Sequence, residues 1–448
     1  MVFHPDILDL YMYLSRMRPY KIFALLLLCC SYNAVHAQPK TDPLLKDLLS
    51  GNDNTVLQQV LLHPDTYRPQ IIYTRIDRNK KNKPSFSNYY YHVDSLLYFN
   101  PASTVKLPLA LLALEKLNEQ PIRGVNKFTS MQFDSGYNSL KAEFKDSTSQ
   151  TGLPSIAQFI RKAFLVSDND AYNRLYEFVG QQTINRKLHE KGYPDARISR
   201  HFWRMTADQN RHTSTIRFLD KAGNLIYTQG PAFNTDSFDY SHINKIGIGY
   251  MNSNDSLVQE PMDFTQHNNV SLQDYQRILQ SVLFPSSVPA RQRFNLTKED
   301  YAFLYQYLSQ YPAETNYPRY DSTTYYDSYV KFFFSDSGHR AMPAQVRVFN
   351  KVGWAYGFLT DISYVADFEH NIEYMLTATI YANSDGILND DKYDFATVAH
   401  PFIYQLGQTI YQYELRRKRT YPPNLSAFKL QYEKRLPDHR PVIKNVDN

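Results

Sequence analysis

Residues 101–117 read Pro101-Ala-Ser-Thr-Val-Lys-Leu-Pro-Leu-Ala-Leu-Leu-Ala-Leu-Glu-Lys-Leu117, apolar almost all round rather than along one stripe. A helix of that pattern is buried on every side and so belongs in the middle of a domain. Ser103 stands at its N-terminal edge, and Lys106 follows three positions on. Residues i and i+3 share a helix face, which puts the lysine amine within hydrogen-bond reach of the hydroxyl. Among Leu107, Leu109 and Leu112 the charged amine is disfavoured by desolvation, and its pKa moves towards useful basicity. Taken alone, Ser-x-x-Lys far more often describes a helix-capping serine and a solvated lysine. What surrounds it decides between the two.

Upstream, residues 70–78 alternate apolar and polar, and after the Lys/Asn/Pro/Ser-rich turn of 79–88 a second β-rich stretch, Tyr89 to Phe99, returns as a hairpin partner. Downstream, 154–165 and 169–179 carry helical patterns, the second closed by Gly180, with Ser167-Asp168-Asn169 in the joint between them. A hairpin about Ala222-Gly223-Asn224, a strand from Ile246 to Met251 and helices over 271–284 and 298–309 come next. Strands Val346–Gly353, Leu359–Phe368 and Ile372–Tyr381 follow, and 395–416 reads as a long terminal helix. Strands, helices, strands, helix is the order of an α+β protein: an antiparallel sheet flanked by helices, with an all-helical lobe inserted.

Composition narrows the chemistry. An apolar fraction of 43% and a charged fraction of 21% describe a folded chain, and a formal charge of +5 from 49 basic and 44 acidic residues is too balanced to argue for nucleic acid. There is no metal-spaced Cys/His cluster, so no metal and no cofactor is expected. Arg16, Arg18 and Lys21, the short apolar run Ile22 to Cys30 and the small-residue site Ala34-Val35-His36-Ala37 read as a secretory signal over residues 1–37, with Met17 as a plausible start. That run is too short for a permanent membrane span. Cys29 and Cys30 both lie inside it, so the mature chain is expected to carry no thiol, unless Cys30 is a lipid-modified N-terminus. With no cysteine nucleophile, the search narrows to serine. The 37 tyrosines, crowded at 89–91 and 301–329, suit core and surface filling better than a sugar groove.

Ser103-x-x-Lys106, Ser167-Asp168-Asn169 and Lys351-Val352-Gly353, in that order, resemble the serine β-lactamase and penicillin-binding-protein superfamily, most closely its class A β-lactamase-like branch. The resemblance implies the β-lactamase/transpeptidase-like fold over about 38–420. Its α/β lobe would take about 55–105 and 340–415, its helical lobe and insertion about 106–339, with 421–448 a C-terminal tail. It implies Ser103 as acylated nucleophile, Lys106 as its base or relay, and Ser167 as a proton shuttle to the leaving nitrogen. Asn169 would hold a substrate amide, Lys351 would supply positive charge for a substrate carboxylate, and Gly353 would complete the substrate-binding set. The backbone N–H of Ser103, at a helix N-terminus, is a ready oxyanion donor, and its partner N–H is expected within Trp354 to Gly357.

The chain departs from the family at two places. Val352 stands where the family usually has Thr, deleting a hydroxyl whose charge-assisted bond to a carboxylate is worth roughly 1.5–3 kcal/mol. The interval from Ser167 to Lys351 is also longer than usual, and the base that deacylates is not obvious. Distance from Ser167 selects Trp203 to Asn210, with Thr206 where Glu is wanted. Distance from the helix at 271 selects Glu260-Pro261-Met-Asp263. Glu260 is the candidate taken, ahead of Asp208 and Asp263. The function expected is that of an exported, periplasmic or secreted, monomeric serine hydrolase acting on a small β-lactam. D,D-peptidase-like or esterase action on cell-envelope material is the nearest alternative. An inactive glycan- or protein-binding module is the alternative of another class.

Overall fold

The computed structural model describes residues 40–136, 140–336, 341–437 and 440–446. The leader read over 1–37 lies outside them. No helix among the described residues is long and apolar enough to cross a membrane.

From Thr41 onward the chain is one unit. Three short helices come first, α1 (Pro43–Ser50), α2 (Thr55–Leu62) and α3 (Pro64–Tyr67). Strands β1 (Gln70–Arg78) and β2 (Pro84–Tyr91) then pair antiparallel, with Ile71 opposite Tyr91 and Arg78 opposite Pro84. The hairpin turn is therefore tighter than 79–88. Pro84 can open β2 because this is an edge strand, where a missing N–H breaks no ladder bond.

A 3-10 turn, Ala102–Val105, leads into α4 (Lys106–Glu119), and β3 (Ser130–Phe133), α5 (Ile156–Leu165), α6 (Asn169–Val179) and α7 (Gln181–Glu190) follow. Every residue of α4 from Lys106 to Glu115 is buried, as its uniform apolarity requires. Strands β4 (Ile216–Leu219) and β5 (Leu225–Gln229) form the hairpin about Ala222-Gly223-Asn224 and add to β3 as a three-stranded sheet. The stretch 246–251 splits into β6 (Lys245–Ile246) and β7 (Gly249–Met251), because Gly247 turns the chain with φ +76° and sends the two pieces to different small sheets. Helices α8 (Leu272–Leu283) and α9 (Lys298–Ser309) close the helical side.

Three long strands complete the main sheet: β8 (Val346–Ala355), β9 (Phe358–Asp367) and β10 (Ile372–Tyr381). Its order is β8-β9-β10-β1-β2, antiparallel where the pairings run. Strands β9 and β10 are buried at every position, since one face of the sheet packs on the helical lobe and the other on α1, α2 and the C-terminal helix. That helix, α10 (His400–Arg416), is introduced by the π-turn Phe395–Ala399. The fold is the α+β arrangement expected.

The described residues between 421 and 446 do not hang free as a tail. Phe428 is buried within 4.8–5.5 Å of the rings of Tyr364, Phe349, Phe284 and Tyr305, and Ile443 bridges in parallel to Tyr320. Leu425 and Phe428 are apolar residues in an otherwise polar stretch, and the aromatic cluster under α8 and α9 supplies their burial.

Candidate active site

The turn that carries Ser103 is held from both sides. Asn100 Oδ1 accepts from Ala102 N–H at 2.8 Å, and Pro101 O accepts from Thr104 N–H at 3.0 Å. Ala102 takes φ +44°, an uncommon region for a side chain with a Cβ. This lifts Ser103 onto the end of the turn, with Lys106 opening α4 just behind it.

Lys106 is fully buried, and its Nζ lies 2.8 Å from Ser103 Oγ, 3.3 Å from Ser167 Oγ and 2.7 Å from Asn169 Oδ1, with the Ser167 carbonyl also accepting from it. The joint between α5 and α6 explains that convergence. Ser167 sits at φ +65°, strained by about 1–3 kcal/mol for a non-glycine, which turns both its carbonyl and its hydroxyl towards Lys106. Asp168 caps α6 by accepting from Ala171 N–H at 2.8 Å, leaving Asn169 as the first helical residue.

Strand β8 closes the site. Lys351 Nζ donates to Ser167 Oγ at 2.9 Å and to Val352 O at 2.8 Å. Lys351 and Gly353 point to one face of the sheet, and Val352 to the other, where it is buried in the apolar layer under α10. Position 352 therefore has its side chain turned away from Ser103. Gly353 is required by close approach: a Cβ there would lie 2.7 Å from Pro101 O and 2.9 Å from the N atoms of Ser103 and Thr104.

The β8–β9 turn frees a backbone N–H near Ser103 that is placed to serve as a second oxyanion donor. Tyr356 and Gly357 have φ +53° and +77°, a two-residue type I′ loop. Such a loop closes on a hydrogen-bonded pair, here Ala355 with Phe358, and the alternation makes Trp354 with Leu359 a non-hydrogen-bonded pair. Trp354 N–H thus leaves the ladder on the open edge of the sheet, beside the Ser103 turn. Sequence reasoning reached only the span Trp354 to Gly357.

Burial sets the charges. It lowers the Lys106 amine to about 7, with the Asp168 carboxylate opposing. Lys351 is held well below the usual lysine range by burial first and by the neighbouring Lys106 second. Two amines of weakened basicity thus bracket Ser167 Oγ, a chain along which a proton can pass between Ser103 and a leaving group.

Above this cluster opens a cavity of about 620 Å³ whose walls include Ser103, Asn169, His267, Trp354 and the loop Arg200 to Arg204. Phe202 fastens that loop: its ring stacks on Tyr172 at 4.2 Å and lies 5.1 Å from Lys106 Nζ. Behind it, His201 Nε2 is 2.8 Å from Glu177 Oε1, both buried. Glu260 is not brought to this cluster. It lies exposed in the turn between Leu257–Val258 and Met262–Asp263, outside the cavity wall. Asp208 is exposed with His212 Nε2 3.7 Å away, Asp263 accepts from Thr265 N–H at 2.8 Å, and Thr206 caps a turn by accepting from Gln209 N–H at 3.1 Å. Among the described residues no Asp or Glu lines the cavity.

Residues 85–240 match the Beta-lactamase enzyme family, a span that holds Ser103, Lys106, Ser167 and Asn169 and leaves Lys351 to be joined to them by the fold. The match covers about a third of the chain and agrees with the superfamily that its three motifs resemble, that of the serine β-lactamases and penicillin-binding proteins. Solved structures similar to it include a β-lactamase from Chitinophaga pinensis at 11% identity and TM-score 0.44, covering 80% of this chain and 99% of that one. Others are a β-lactamase from Desulfarculus baarsii at 14% identity and TM-score 0.43, covering 84% and 98%, and a mutant of PBP-A in an acyl-enzyme complex with penicillin G at 12% identity and TM-score 0.45, also covering 84% and 98%. No curated protein matches the chain.

The loop Arg200 to Arg204, which forms part of the cavity wall, is the part that sequence reasoning passed over. Spacing from Ser167 pointed to the neighbouring window 203–210, and the missing Glu turned attention to Glu260. The signal present was Arg-His-Phe-Trp-Arg itself, a cationic and aromatic run that follows the helical stretch 156–190.

Proposed function

We propose that the protein is a serine hydrolase that cleaves an amide or ester through an acyl intermediate on Ser103. The observation that carries this reading is the buried Lys106 amine 2.8 Å from Ser103 Oγ, lowered to about 7 by burial. A base near the working pH takes the hydroxyl proton as the bond to the substrate carbonyl forms. The oxyanion that develops is met by the N–H groups of Ser103 and Trp354. Ser167, between Lys106 and Lys351, returns the proton to the leaving nitrogen or oxygen, and Asn169 orients the acyl donor. On this reading Lys106 is the base, and the substrate is a β-lactam or a cell-envelope peptide or ester met after export.

One observation favours a slow, penicillin-binding mode over rapid β-lactam hydrolysis. Deacylation needs a second base beside the ester, and no carboxylate among the described residues lines the cavity. The test is steady-state turnover of benzylpenicillin, a D-Ala-D-Ala peptide and an activated ester by wild type and Ser103→Ala. Turnover or acylation of at least one, lost in the variant, supports the hydrolase. Equal activity in the variant, or none in either protein, overturns it, and the second result leaves the fold as a binding module.

A further inference from the structure

The expected partner for a substrate carboxylate, Lys351, is a poor one here. Its amine is buried to 2% exposure, donates to Ser167 Oγ and Val352 O, and is absent from the cavity wall. Position 352 faces the opposite side of the sheet. The cavity nonetheless holds two cations, Arg200 and Arg204, and neither has a carboxylate partner among the described residues. Arg200 is the better placed. It is half-buried, its N–H donates to Asn268 Oδ1 at 3.1 Å, and its carbonyl accepts from Tyr172 O–H at 2.7 Å. The base of its side chain is thereby fixed, whereas Arg204 is exposed at the rim.

Both charges act on one end of the cavity. They oppose the upward shift that burial imposes on the Tyr356 hydroxyl, and the Arg200 charge adds to burial in holding His267 neutral, at about 3. An unpaired guanidinium beside a neutral imidazole, walled by Phe202, Trp203 and Trp354, is set for an anion carried on an apolar body.

Resting on the hydrolase reading, we infer that Arg200, assisted by Arg204, and not Lys351, is the residue that selects the substrate, and that the substrate is a carboxylate-bearing acyl donor with an apolar or aromatic body. Arg200 offers a planar two-pronged donor that matches a carboxylate, a geometry the Lys351 ammonium lacks.

The experiment compares acylation rate constants for benzylpenicillin and its neutral methyl ester, read by intact-protein mass. In Arg200→Gln the rate for the acid is expected to fall about 10–100-fold, the worth of a charge-assisted hydrogen bond, while the methyl ester changes by less than about threefold. Arg200→Lys should recover part of the loss for the acid alone. Equal loss for both probes makes Arg200 structural and overturns the inference, as does no loss for either. If wild type is acylated by neither probe this inference falls, and the hydrolase reading falls with it only if the D-Ala-D-Ala peptide and the activated ester fail as well. Acylation of both at a ratio insensitive to Arg200 removes this inference only.

Discussion

Replacing Gly353 by alanine isolates the close approach of β8 to the nucleophile turn. Gly353 has no left-handed backbone to lose, so the added methyl acts through space alone. It would lie 2.7 Å from Pro101 O and 2.9 Å from the N atoms of Ser103 and Thr104, against 3.4 Å or more for an ordinary contact. All three are backbone atoms, so no side chain can swing aside, and relief requires strand and turn to part by roughly half an ångström. Overpacking of this kind costs about 1–3 kcal/mol, which for a domain of this size is a fall of roughly 2–10 °C in Tm. The larger effect is on chemistry. A 1 Å misplacement costs about 10²-fold, so half of it costs about 10-fold, and the same movement separates the N–H groups of Ser103 and Trp354. The assay is the acylation rate with a chromogenic ester beside a thermal melt. Gly230→Ala, where a Cβ meets nothing within 4 Å, is the control and should leave both unchanged. Wild-type acylation in Gly353→Ala would refute the packing that underlies the oxyanion site.

Four further outcomes are expected. Lys106→Arg should lower acylation by about 10²–10⁴, because a guanidinium stays protonated, and in wild type the rate should climb as pH rises through about 7, where the buried amine loses its proton. The same lowering makes the unfolded chain bind more protons above pH 7, so stability should rise with pH from about 7 towards 10, and Lys106→Met should remove that slope. Penicillin turnover should show a burst equal to the enzyme followed by a slow phase, and Glu260→Gln, on an exposed turn outside the cavity, should alter neither; a change in the slow phase would return Glu260 to the site. Phe428→Ala should destabilise by about 3–5 kcal/mol in urea unfolding, since its ring fills a cluster of four others, whereas a free tail would give no change.

The parts of the fold legible in the sequence are those with strong periodicity: α4, the three long strands of β8 to β10, and the hairpins. Helix α7 escaped notice because Gln181 to Glu190 is polar and buries only Ile184 and Leu188 as its apolar contacts. Residues 421–446 looked like a tail because their few apolar side chains gain meaning only from the aromatic cluster that receives them. At the site, Ser103, Lys106, Ser167, Asn169 and Lys351 were readable because each has its chemistry in its own type and a fixed spacing to a neighbour. Trp354 acts through its backbone N–H and carries no side-chain signal. Arg200 depends on a loop path, and Glu260 was chosen by counting residues from a helix that the intervening small sheets place elsewhere.

Whether Ser103 carries the acyl group is settled most directly by peptide mapping after brief exposure to benzylpenicillin and, separately, to a fluorophosphonate. The expected result is a single adduct on the peptide containing Ser103, absent from Ser103→Ala. An adduct on another residue, or one that persists in Ser103→Ala, would contradict it.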